Sequence, residues 1–300
     1  METVHLKHGM NDLSSHRAGS CVMALGFFDG VHLGHQQLIQ IAKKIARKNH
    51  LKLAVMTFYP HPKEVISRGA NRVHYLSPLP AKQEMLADMG VDKLYVMKFD
   101  LNFSQLPPQD FINQYIIGLQ CKHVVAGFDF TFGYRGEGNM ELLKGEGLGK
   151  FEVTTISKVE QHHQKIGSTL IRQFVTSGDV NVVPDYLGDY FEMIGKVDAI
   201  PSLKNKQNPL PVKIEIDHKY IFPKPGVYEI QVEVGSQAYG GICSQTVNSY
   251  DQFESVEVLL SDCYENVSGK KVKLKWINRV HDEQKVMVNM EKLQTEKLVI

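Results

Sequence analysis

The chain has 300 residues, 43% of them hydrophobic and 22% charged, and its 34 basic and 33 acidic side chains leave a net charge of +1. That length suggests two ordinary domains with sizeable cores, and so even a balance gives no support for an extended nucleic-acid surface. The four cysteines are scattered, form no Cys-x-x-Cys, and no apolar stretch reaches signal-peptide or membrane-spanning length, so the composition reads as a cytoplasmic protein without a disulfide framework or a metal knot.

Met1 to Ser20 reads as a short leading strand, with Val4 and Leu6 alternating against polar neighbours, followed by a loop. Cys21 to Leu25 is a short buried strand. Leu38, Ile41, Ala42 and Ile45 then recur at helical spacing between Gln36 and Asn49, and Leu51 to Phe58 is a second strand. Strand, helix, strand is the unit of a parallel sheet with a right-handed crossover. Between the first strand and the helix lie Gly26, Gly30, Gly34, Asp29, His32 and His35, where an open parallel sheet binds its ligand against a helix N-terminus. Gly26 and Gly30 let the backbone turn, Gly34 leaves room for a phosphate, and a spacing of three puts both imidazoles on one side. Three chemistries are open to such a pair: metal ligation, plain packing, or stabilising charge on a nucleotide phosphate. The ten-residue pattern Gly26 to His35, placed after a strand and before a helix, favours the third.

Phe58-Tyr59-Pro60-His61-Pro62 is a stiff extended loop at a strand end. Ser77 to Gly90 reads as a helix capped by Ser77, Asp92 to Met97 as a strand, Pro107 as a helix start, and Lys122 to Gly127 as a further strand. Gly127 to Gly138 interleaves Phe128, Phe130, Phe132 and Tyr134 with glycines, which suits a loop whose aromatics either stack on a planar ligand or pack beneath it. Phe151 to Val159 is the last strand of this region. Ser168 or Thr169 would then cap a helix with free amides, and Arg172, one turn in, could fork onto a phosphate.

Val183 to Tyr190 reads as a connector. Beyond it the texture changes to short alternating strands at Val212 to Ile216, Val227 to Val234, Val256 to Leu260 and Val272 to Ile277, which suggest an antiparallel sheet or small barrel. Glu283 to Leu298 reads as a closing helix.

Four of these segments, in this order, resemble the nucleotidyltransferase superfamily, and more closely the bacterial FAD synthetases that carry a riboflavin kinase domain. The resemblance implies an α/β, Rossmann-like nucleotidyltransferase domain with a parallel sheet over 1–183, and a riboflavin kinase-like β-barrel over 184–300. It implies AMP transfer from ATP, with Mg²⁺, to FMN, giving FAD and pyrophosphate. His32, His35 and Arg172 would be catalytic, and Gly26, Phe27, Phe28, Asp29, Gly34, Ser168 and Thr169 would bind nucleotide. Phe58, Pro60, His61, Pro62, Phe128, Asp129 and Phe130 would bind flavin, and no protein ligand for a metal is assigned. In the barrel, Gly226-Val227-Tyr228 matches a family turn and Glu257 falls on the strand of the kinase glutamate. The kinase signature Gly-x-Pro-Thr-Ala-Asn is missing from Val197 to Gln207, so kinase activity is expected to be absent or very weak. The alternatives are a bifunctional enzyme that also phosphorylates riboflavin, and a flavin-binding regulatory protein without turnover. Neither nucleic acid nor membrane is an expected partner.

Overall fold

The structure, a computed structural model, describes residues 1–9, 19–198, 209–245 and 253–280. Within them the chain runs β1 (Glu2–Leu6), β2 (Cys21–Leu25), α1 (Leu33–Lys48), β3 (Lys52–Tyr59), α2 (Pro62–Ile66), α3 (Leu79–Asp88), β4 (Lys93–Lys98), α4 (Leu101–Ser104), α5 (Pro108–Phe111) and β5 (Cys121–Gly127). It continues through α6 (Met140–Gly147), β6 (Glu152–Ile156), β7 (Glu160–Gln161), β8 (Gln164–Lys165), α7 (Ser168–Ser177), α8 (Pro184–Leu187) and β9 (Phe191–Val197). The last strands are β10 (Leu210–Asp217), β11 (Gly226–Val234), β12 (Gln237–Gln245), β13 (Phe253–Leu260) and β14 (Lys271–Val280). Packing divides the chain into two units, Met1–Val73 with Ser77–Ile166, and His74–Leu76 with Gly167–Ile300.

In the first unit β1 to β6 form one parallel sheet in the order β1-β4-β3-β2-β5-β6. All five residues of β2 are buried, as befits a central strand covered on both faces. Cys21, Met23 and Leu25 point into one core with Tyr95, Phe111 and Tyr115, and Val22 and Ala24 into the other with Leu38, Ile39 and Ala42 of α1. From β2 the chain adds β3 and β4 on one side and β5 and β6 on the other. The order therefore reverses between β2 and β5, and the crevice at their carboxyl ends is where such sheets bind ligands.

The second unit holds a closed antiparallel barrel in the order β10-β13-β12-β11-β14-β9. Alternate side chains fill it, among them Met193, Ile214, Ile230, Val258 and Leu274, with Trp276 edge-on to Tyr228 at 5.0 Å. Four of its strands lie where alternation predicts them. β12 escapes that reading because Gly240 and Gly241 break its pattern, yet a Cβ at Gly241 would lie 2.5 Å from the Leu259 carbonyl, so the close strand approach needs the glycine. β9, which follows the connector, is not among the strands that the alternation predicts.

Three local expectations are corrected. Ser77 does not cap α3; Pro78 occupies the cap position and Ser77 is bonded elsewhere. Neither Ser168 nor Thr169 caps α7, where Gly167 stands at the N-cap without a side-chain bond. The connector 183–190 is folded, with α8 burying Tyr186 and Leu187. The division by packing also falls earlier than 183/184, because α7 docks on the barrel: the Lys224 amide donates to the Val175 carbonyl at 3.3 Å, and Gly178 abuts Tyr228 and Arg279. The closing helix expected at Glu283 to Leu298, and most of the segment Val197 to Gln207, lie outside the described residues.

Truncating Met56, fully buried at the centre of the sheet, to alanine is expected to cost about 2–5 kcal/mol. Urea unfolding of Met56→Ala measures it, and a loss below about 1 kcal/mol would contradict this packing.

Candidate active site

The turn after β2 is built from conformations that side chains avoid. Phe28 has φ 53, Gly30 φ 76 and Val31 φ 41, so a phenylalanine and a β-branched valine both sit in the left-handed region. Each such residue costs of order 1–3 kcal/mol and persists only where surrounding bonds over-determine it. Those bonds are present. Asp29, 1% exposed, accepts at Oδ1 from the Ser77 amide at 3.0 Å, while the Gly30 amide donates to Ser77 Oγ at 2.7 Å. On the other side the Phe27 carbonyl accepts from Lys82 Nζ at 2.7 Å and from Thr57 Oγ1 at 2.8 Å. Gln36 Nε2 closes the turn on the Val31 carbonyl at 3.0 Å.

The turn delivers His32 to the N-cap of α1, where its Nδ1 accepts from the His35 amide at 3.3 Å. The rings of His32 and His35 stack with centroids 3.6 Å apart and planes 15° from parallel, and Phe28 meets His35 edge-on at 5.1 Å. Burial lowers the His32 pKa to about 4, and Lys165 reinforces this. Burial, then His32, then Lys82 hold His35 well below its ordinary value. Two stacked imidazolium ions would repel strongly, so the pair is neutral at pH 7. With Nδ1 of His32 accepting, its proton lies on Nε2, which is then a donor. Gly34 stands between them because a Cβ there would press to 3.3 Å on the His32 ring. Helix α1 adds free amides and the positive end of its dipole.

Other expected site residues of this unit gather around the same turn. His61 caps α2 and meets the Phe27 ring edge-on at 4.4 Å, and the Tyr59–Pro60 bond that precedes it is cis. After β5, Asp129 Oδ2 pairs with Lys165 Nζ of β8 at 2.5 Å, and the same ammonium lies 4.9 Å over the exposed Phe128 ring. The β7–β8 hairpin, unread in the sequence, is what presents Lys165.

Close by is an apolar cavity of about 320 Å³ lined by Phe58, Phe99, Phe103, Phe111, Phe132 and the backbone of Gly133, with Pro62 and Arg135 also on its wall. Its size and aromatic lining suit a planar ring system. Of the expected flavin residues Phe58 and Pro62 line it, Phe130 packs on Phe132 at 5.9 Å, and Phe128 is outside its lining. Phe132 comes from the same glycine- and aromatic-rich segment, whereas Phe99, Phe103 and Phe111 come from positions that no motif marks. Ser77 is legible only as a helix cap, and Lys82 and Thr57 carry no site reading in the sequence, although Lys82 falls four residues before Leu86 on the buried stripe of α3, an unusual place for a charge.

Ser168, Thr169 and Arg172 open α7, with Ser168 and Arg172 half-buried and Thr169 exposed, and belong to the second unit. Glu257 points outward on β13, exposed. Among the described residues no group of three or more His, Cys, Asp or Glu side chains is placed to hold a metal.

Comparison with known proteins gives the same two parts. The FAD synthetase family model matches residues 14–170 and the riboflavin kinase model residues 210–297. A bifunctional riboflavin kinase/FMN adenylyltransferase of Bacillus subtilis is 37% identical over 95% of this chain and 92% of its own. Those of Listeria monocytogenes and Escherichia coli K12 are 38% and 29% identical, over 95% and 93% of this chain and 91% and 90% of theirs. The chain belongs to the riboflavin kinase/FMN adenylyltransferase family. A crystal structure described as a macrolide-efflux protein from Streptococcus pneumoniae has the fold of this family member, with TM-score 0.79, 29% identity and coverage of 99% of this chain and 98% of that one. Among the described residues of this family member no helix is long and apolar enough to cross a membrane.

The depressed His32 pKa makes a prediction. Between about pH 6.5 and 4 the unfolded imidazole takes up a proton that the folded one does not, so stability falls as pH falls through that window. Urea midpoints should drop across it in the wild type and drop less in His32→Gln; equal slopes would contradict a buried neutral His32.

Proposed function

We propose that the chain is an FMN adenylyltransferase, converting MgATP and FMN to FAD and pyrophosphate. The observation that carries this is the stacked neutral pair His32 and His35 at the N-terminus of α1, at the switch point of the sheet, in the same unit as an aromatic cavity fit for a flavin ring. A phosphate oxygen of FMN attacks the α-phosphorus in line, and the bond to the bridging oxygen of pyrophosphate breaks. No enzyme nucleophile takes part. His32 and His35 donate to the phosphates as charge moves onto the leaving group, and Gly26, Phe27, Phe28 and Gly34 shape the backbone against the nucleotide. Asp29 acts through its bonds to Ser77 by holding the turn. Ser168, Thr169 and Arg172 bind the β- and γ-phosphates, a reading supported by motif order and by the half-buried Arg172 one turn into α7. The flavin ring enters the cavity beside Phe58 and Pro62, with Pro60, His61, Phe128, Asp129 and Phe130 around its approach. Magnesium arrives with ATP as part of the substrate.

The functional domains span 1–183 and 184–300 in this reading, in a cytoplasmic protein. The barrel has little or no kinase activity in this reading, because Val197 to Gln207 lacks the Gly-x-Pro-Thr-Ala-Asn signature that would hold metal and phosphate: it has no Thr, and its Asn205 stands outside that pattern. The match to the riboflavin kinase model and the name of the relatives favour a second reading, in which the chain also phosphorylates riboflavin. Tight flavin binding without turnover would instead mark a regulatory protein.

Chromatography of products from MgATP with either FMN or riboflavin tests these readings. FAD from FMN and nothing from riboflavin is the expected result. FMN and FAD from riboflavin would establish the bifunctional reading, and no product from either would refute adenylyl transfer. His32→Ala and His35→Ala should each lower kcat by about 10²–10³-fold with far-UV circular dichroism unchanged; unaltered turnover in both would overturn their assignment.

A further inference from the structure

We propose that Lys82 is a positioning residue for adenylyl transfer: buried against the Phe27–Phe28 turn, its ammonium fixes that turn, and through it the stacked histidines, and sets the charge of the site. The proposal rests on the functional reading above. Lys82 lies on α3 and is only 1% exposed. A lysine so buried is rare unless its charge is matched by close partners. Here Nζ donates to the Phe27 carbonyl at 2.7 Å, lies 3.5 Å from Thr57 Oγ1, and sits 4.5 Å from the centroid of the Phe27 ring. Thr57, at the end of β3, donates to the same carbonyl at 2.8 Å. Two elements thus converge on one peptide oxygen, the one immediately before Phe28 turns left-handed.

From there the contacts lead to the chemistry. Phe28 meets His35 at 5.1 Å, and His35 stacks on His32 at 3.6 Å. A core filler at position 82 would be leucine or methionine, matching the neighbouring Ala81 and Leu86, which are apolar and buried. What such a residue could not supply is a donor to the carbonyl or a positive charge. The charge matters because both imidazoles are neutral. A fixed cation beside them favours the negative charge that grows on pyrophosphate and opposes protonation of His35. The charged groups facing the histidines are Lys82 from α3, Lys165 from β8 and Asp129 after β5, with Asp29 in the turn bonded to Ser77.

The test is steady-state transfer from MgATP to FMN by wild type, Lys82→Met and Lys82→Gln, from about pH 5 to 9, with circular dichroism as the folding control. Methionine keeps the stem and removes donor and charge; glutamine keeps a donor and removes the charge. Lys82→Met should lose about 10²-fold in kcat with KM for both substrates near wild type, as expected of misplacement. The acid limb of its kcat profile should move to higher pH, since His35 then protonates more easily. Ionisation of the substrate phosphate, at about pH 6, is common to all three proteins and cancels in the comparison. A folded Lys82→Met within about threefold of wild type, with its acid limb unmoved, would overturn the proposal. If methionine prevents folding, Lys82→Gln decides: the limb should rise with a smaller loss of kcat, and an unmoved limb would overturn the charge effect. A wild type that makes no FAD would refute the functional reading instead. The structural part of the proposal, that Lys82 fixes the turn and the histidines, is then tested by the His35 ring resonances, which must shift between wild type and either variant; unshifted resonances would overturn that part too.

Discussion

The site depends on a backbone that runs left-handed at Phe28, Gly30 and Val31. Two non-glycine residues in that region cost together of order 2–6 kcal/mol, more than the turn alone can offset. What holds it is a set of buried hydrogen bonds from outside the turn: Ser77 to Asp29 and Gly30, and Lys82 and Thr57 to the Phe27 carbonyl. Each would cost about 1–3 kcal/mol if its partner were left unmade, so together they match the strain. Thr57 of β3 and Lys82 of α3 grip the Phe27 side of the turn and Ser77, just before α3, grips the Asp29–Gly30 side, which is why the turn survives as a fixed object.

With the turn fixed, the histidines follow. His32 both ends the turn and caps α1, so its ring cannot rotate without giving up the His35 amide. Stacking and burial then keep the pair neutral, and neutral imidazoles do not form a permanent ion pair with phosphate. In the proposed transfer they contribute oriented donors whose interaction grows as charge moves toward the leaving group. That is electrostatic preorganisation, stronger toward the transition state than toward bound ATP.

Much of this was legible in the sequence. Strand, Gly-rich turn and helix are local features, and Gly26 to His35 carries them within ten residues. The parallel sheet and four barrel strands could be read because burial leaves a period in the chain. What could not be read is what tertiary packing brings together. The cavity joins Phe58 and Phe132, from two legible segments some seventy residues apart, to Phe99, Phe103 and Phe111, which no pattern marks. Ser77 looked like a helix cap because serine before Pro78 and a helical stripe usually is one; here the chain uses its hydroxyl and amide on Asp29 and Gly30. β12 is hidden by a glycine that the barrel requires, and although the helix α7 is legible from Ser168, its place in the second unit rests on packing against Tyr228 and Arg279, which no local signal announces.

The central claim is that the site transfers AMP in one displacement by positioning alone. Stereochemistry at phosphorus tests it most directly. With ATP made chiral at the α-phosphorus by sulfur substitution and FMN as acceptor, a single in-line attack predicts inversion in the FAD analogue formed. Retention would require two displacements through a covalent adenylyl-enzyme, and would contradict the account of His32 and His35 as donors.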